Sequence, residues 1–165
     1  VATTDTLPAD YINVIGGYSP AGGGTMSSLS VYSKLNGTAV MTFGIYSDTA
    51  GAPGALVAKG SEVADAAEAW VTSNTTTSPS VAAATTYYIG HTVGTGTFTG
   101  YGDNDAGKTS YFKINTYSAG NMPDPFPAAY STQAIIFSTY ATYTASDIPN
   151  KQQIVSQAVK RASSY

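Results

Sequence analysis

Between Tyr11 and Thr144 the apolar residues fall in short runs, often at every second position, and the runs are separated by Gly, Pro, Asn and Asp. A period of two is the signature of half-buried β-strands. Tyr11 to Ile15 forms the first run, closed by Gly16 and Gly17, and Ser19 to Gly24 has loop composition. From Thr25 to Leu35, Met26, Leu29, Val31 and Leu35 alternate with polar residues, and Tyr32 lies on the other face. Asn36-Gly37 follows, a tight-turn dipeptide that predicts a hairpin. In the next run, Thr38 to Tyr46, the residues Met41, Phe43 and Ile45 predict the core face, with Val40, Thr42, Gly44 and Tyr46 opposite. Further strands are predicted over Leu56 to Val63, Trp70 to Thr72, around Val81, and over Thr85 to Val93, Thr109 to Tyr117 and Ala134 to Thr144.

Asp65 to Ala69 reads as a helical turn, and Gly94 to Lys108 as a polar loop. Pro123, Pro125 and Pro127 forbid regular pairing between the last two strands. About eight strands at this spacing predict an all-β, antiparallel β-sandwich of jelly-roll type. Its core is predicted to hold Met41, Phe43, Ile45, Trp70, Ile89, Ile114 and Ile136, with Trp70 read as a core anchor ahead of a ligand platform.

After Pro149 the period changes. Ile154, Val155, Ala158, Val159 and Ala162 share one helical face, and Gln and Lys occupy the other. The expected organisation is a β-sandwich domain over residues 1–149 and a short amphipathic helix within 150–165. Such a helix is marginal alone in water and must pack on something. Ile154, Val155, Ala158 and Val159 are therefore the expected assembly residues.

Composition limits the chemistry. Lys and Arg total 7 and Asp and Glu total 10 of 165 residues. That balance gives no basic field for nucleic acid. No apolar run reaches the roughly 18 residues of a membrane span, so no membrane insertion is expected. A charged and apolar leader is also missing, so any signal peptide is expected to have been removed or never to have existed. Leu, Ile, Val and Phe number 29, and 13 Tyr with one Trp supply the remaining apolar area of a core. Cysteine is absent, which excludes disulfides and thiolate chemistry. With one His, two Glu and one Arg, a Ser-His-Asp triad would have to run through His91. His91 reads instead as a packed or rim histidine. No enzyme is expected.

Val40 to Gly60 reads VMTFGIYSDTAGAPGALVAKG, followed by Trp70 and by Thr85-Thr86-Tyr87-Tyr88-Ile89. This resembles a family of jelly-roll-like β-sandwich modules in secreted bacterial and archaeal surface proteins and in phage structural and tail proteins. Ile135 to Thr144, IIFSTYATYT, is similar to the final strand of the phage-associated members. The resemblance implies the fold, together with an extracellular, cell-surface or virion-surface setting. In its turn, Asp48 can cap through its side chain, Gly51 and Gly54 can take positive φ, and Pro53 fixes the bend.

Candidate site residues are few. Asp103, Asn104 and Asp105 place oxygen side chains in one segment, as calcium prefers, with Asp103 and Asp105 the ligands to test. The spacing does not match an EF-hand, and a solvated turn accounts for it better. No other cofactor is expected. Tyr101 and Tyr111 flank that segment, and with the loops at 94–108 and 118–130 they make a candidate glycan platform. Asn36-Gly37-Thr38 and Asn74-Thr75-Thr76 match glycosylation acceptors, a match that arises easily in a chain with 23 Thr. Asp65 and Glu68 are not expected to act as an acid–base pair, because nothing around them raises a pKa. The expected function is a non-catalytic, surface-displayed structural or adhesion module. Its expected partners are copies of itself, other structural subunits and a glycan. The alternative is a carbohydrate-binding module of a secreted multidomain enzyme.

Overall fold

The computed structural model describes residues 3–64, 68–104 and 108–146, with the side chains of residues 3, 34–38 and 104 excepted. The helix predicted within 150–165, the boundary at 149 and most of the helical turn predicted at Asp65 to Ala69 lie outside those residues. Everything described is strand, turn or loop. The strands are β1 (Thr3–Pro8), β2 (Tyr11–Tyr18), β3 (Gly24–Thr49), β4 (Ala52–Lys59), β5 (Val63–Ala64) and β6 (Ala69–Asn74). They continue with β7 (Ser80–Val81), β8 (Tyr87–Asn104), β9 (Ser110–Ile114), β10 (Ser131–Gln133), β11 (Ile135–Phe137) and β12 (Thr139–Ala145). Every pairing among them is antiparallel. The all-β, sandwich-like class predicted from the period of two is what the chain adopts.

Two long strands carry the architecture. From Ser33 to Ser47, β3 pairs with β8, and in one half of the sheet β8 also pairs with β2. There the order runs β10-β9-β2-β8-β3, with β4 on the far side of β3. Beyond Ser33 and Gly100 the two long strands separate. The first part of β3 then lies between β12 and β6, while the end of β8 lies between β1 and β11. Met26, Leu29 and Val31 from one half meet Phe43, Ile45, Ile89 and Val93 from the other in a shared core.

Asn36-Gly37 is not a hairpin turn. The runs on either side of it belong to one strand and pair with the same partner, Asn36 with Thr97 and Val40 with Thr95. The dipeptide sits at a register shift, where extra residues are absorbed as a bulge and the strand bends. The predicted loop from Gly94 is likewise strand as far as Asn104.

Of the seven predicted core residues, Met41, Phe43, Ile45, Ile89 and Ile136 are buried, whereas Trp70 is 43% and Ile114 65% exposed. Ile114 lies opposite Tyr11, which packs on the core, so its phase is right. It is the last residue of β9, and the facing layer does not reach it. Trp70 is out of phase instead. Its neighbour Val71 packs on the core, and alternation sends Trp70 to the opposite side.

The face of β3 opposite the main core is covered as well. Tyr46 packs with Ile12, Val14, Tyr88, Met122 and Phe126 in a second cluster, beneath the proline-rich segment. That segment is pinned by hydrogen bonds from Tyr46 Oη to Pro123 O (2.9 Å), Leu56 N to Asp124 Oδ1 (2.9 Å) and Lys59 Nζ to Gly120 O (2.6 Å). The turn before β4 forms as its residues imply at two points. Asp48 Oδ2 accepts from Gly51 N (3.2 Å), and Gly51 has a φ of 82°. Gly54 is needed for space rather than for positive φ, because a Cβ there would collide with Thr49 Oγ1. Asp48 Oδ1 also accepts from Tyr88 Oη (2.7 Å). Tyr88→Phe should therefore cost about 1–2 kcal/mol in urea unfolding, the value of a partly buried bond to a charged group. An unchanged midpoint would show that this bond contributes nothing.

Candidate functional site

Tyr101 owes its position to the register shift. Ile89, His91 and Val93 point into the core, and unbroken alternation would send Tyr101 the same way. Between Gly94 and Thr97 the strand slips by one residue against β3, so that Phe98, Gly100 and Gly102 take the core phase. Gly96, with φ 71°, supplies the backbone geometry of the slip. Gly100 leaves room for Phe137, which a Cβ would strike. Tyr101 and Asp103 are thereby turned outward.

On the outward face Tyr101 ends a row of rings that runs over three other strands. Its ring lies 5.4 Å from Tyr32 of β3, and Tyr32 lies 5.5 Å from Trp70 of β6. Trp70 lies 4.8 Å from Tyr140 of β12. Because β6 and β12 flank β3 on opposite sides, Trp70 and Tyr140 meet across it. Beneath them Ser30 is fully buried and shares a 2.8 Å hydrogen bond with Thr72. The rings contact one another edge to face, at 64–70°, the arrangement that ring quadrupoles favour. Thr6 and Thr99 continue the face beyond Tyr101, their hydroxyls 3.5 Å apart.

Glu68, immediately before β6, accepts from Tyr32 Oη at 3.5 Å. Partial burial, and then a hydrogen bond to Glu68 and its charge, push the Tyr101 hydroxyl above its ordinary pKa. Glu68 therefore holds two of the four rings by their hydroxyls. Asp65, the other carboxylate weighed with it from the sequence, lies outside the described residues.

Tyr111 is not part of this face. It stands on β9 opposite Val14, against Tyr88 (5.5 Å) and Tyr130 (5.1 Å), and its hydroxyl donates to Gly51 O (2.9 Å). Tyr101 and Tyr111 are thus not brought together, and the 118–130 segment serves the second cluster rather than a platform shared with Tyr101. Asp103 is exposed. Asp105 and the side chain of Asn104 lie outside the described residues, and the calcium candidate lies there with them. Among the described residues no group of three or more His, Asp or Glu side chains could hold a metal ion.

His91 is fully buried among Phe43, Phe98 and Phe137, and burial lowers its pKa to about 3. Neither ring nitrogen has a hydrogen-bond partner. Of the two sequence readings, packed or rim, the packed one holds. Among the described residues no helix is long and apolar enough to cross a membrane.

Tyr32 and Tyr140 were not singled out as site residues from the sequence, and Trp70 was placed in the core ahead of a ligand platform. A signal was present for Tyr32, which alternation already places opposite Val31. No protein-family model, curated protein or solved structure matches the chain.

Proposed function

We propose that the chain is a non-catalytic module displayed on a virion or cell envelope, where it serves structure or adhesion and contacts glycan. The observation that carries this reading is the outward face of Tyr101, Tyr32, Trp70 and Tyr140, set among Ser and Thr hydroxyls with Trp70 43% exposed. Exposed ring clusters of this kind mark contact surfaces. The only imidazole of the chain is buried and neutral, so His91 is not available to chemistry at the surface.

Self-assembly is the second part of the proposal. It rests on the apolar phase of Ile154, Val155, Ala158 and Val159 in the sequence. Native mass spectrometry of the intact chain should give a species larger than the 16.9 kDa protomer. Removal of residues 150–165 should return it to protomer mass. A chain that stays monomeric at every concentration would discard the assembly role. The ring face would then favour the second reading, a carbohydrate-binding module of a secreted multidomain enzyme.

A further inference from the structure

We infer that the four-ring face is a docking platform for an uncharged glycan, with a pyranose ring lying on Trp70 and its hydroxyls reaching the Thr and Tyr hydroxyls and the Glu68 carboxylate at the rim. The inference rests on the contact role proposed above and adds the place and the chemistry of the ligand.

Three features point to this occupant. The first is the match of chemistry. A pyranose presents apolar C–H faces bordered by hydroxyls, and this face presents ring surfaces bordered by hydroxyls and the Glu68 carboxylate. The second is charge. The Glu68 carboxylate at the rim accepts hydrogen bonds from hydroxyls and repels an anionic ligand. The third is size. Trp70 is 43% exposed and the tyrosines are partly buried, so with side chains worth 150–250 Å² each the face offers on the order of 300 Å². A stable protein interface needs about 800 Å² from each partner. The smaller area suits a short stretch of oligosaccharide.

The edge-to-face geometry also matters. Rings that meet at 64–70° cannot stack on one another, so ring surface remains available above the sheet. Trp70 spans β3 to reach Tyr140, and Ser30 beneath is sealed, so the indole is braced from below and open above. A platform held rigid in this way loses little freedom when it binds.

Trp70 is the only tryptophan in the chain, so tryptophan fluorescence, excited selectively over tyrosine, reports this site alone. The full chain would be titrated with soluble uncharged polysaccharides: xylan, mannan, mixed-linkage β-glucan and chitooligosaccharide. At least one should give a saturable blue shift and protect Trp70 from acrylamide. Tyr101→Ala and Tyr140→Ala should each weaken that binding at least tenfold while leaving the melting temperature nearly unchanged. Trp70→Ala, followed by affinity electrophoresis, should abolish it. Absence of binding to all four probes would overturn the inference, as would binding that survives Trp70→Ala and Tyr101→Ala together. Native mass is independent of these outcomes, so failure here is distinguishable from failure of the assembly role.

Discussion

Phe43→Ala should lower stability by about 3–5 kcal/mol, the range for deleting a buried aromatic ring. Phe43 is 1% exposed and stands in the second half of β3, paired with His91 of β8. Its ring lies 6.2 Å from that of His91 and belongs to the core shared by both halves of the sheet. Neighbouring strands are locked by long ladders on both sides, so the void can collapse only partly. Urea unfolding at neutral pH should show the midpoint fall with little change in slope. A loss below about 1 kcal/mol would show that the phase assigned to β3 is inverted.

Replacing His91 by leucine should remove the acid sensitivity of the fold above pH 5. Burial holds the folded-state pKa near 3, below the ordinary value of 6.5, so the folded protein excludes the proton. The unfolded chain accepts it once the pH drops below about 6.5. Stability contributed by the neutral form is therefore complete above about pH 6.5 and is lost progressively as pH falls toward 3. By pH 5 the loss should reach about 2 kcal/mol. The chain contains no other histidine, so this window belongs to His91. Leucine also removes two buried nitrogens that lack partners, and each such group costs about 1–3 kcal/mol when left unsatisfied. His91→Leu should accordingly be at least as stable as wild type at pH 7 and level between pH 6.5 and 5. A wild-type curve already level over that range would mean that the imidazole reaches solvent.

How much of this was legible depended on the length of each periodic run. Val40 to Tyr46 alternates over seven positions, so Met41, Phe43 and Ile45 could be phased with confidence of geometry. Trp70-Val71-Thr72 is too short to phase, and a bulky aromatic residue in it suggests burial by default. Only pairing with Tyr32 settles that Trp70 faces outward. The strand β1, TTDTLP, carries a single buried apolar residue, Leu7, and offers no pattern to detect. Tyr101 was identified by its position beside a polar segment, while its orientation follows from the one-residue slip near Gly96. Bulges shift parity without leaving a period of their own. The companions of Tyr101 are remote in sequence, at Tyr32, Trp70 and Tyr140. Strand pairing alone assembles them.

The face that these residues make depends first on Trp70 standing in solvent. Acrylamide quenching of the tryptophan fluorescence of the dilute, ligand-free chain tests this directly, since the chain holds one indole. Red-shifted emission that is readily quenched is expected, with little change when the chain is unfolded in urea. Blue-shifted emission that resists acrylamide until the fold is lost would place Trp70 in the core and contradict its outward placement.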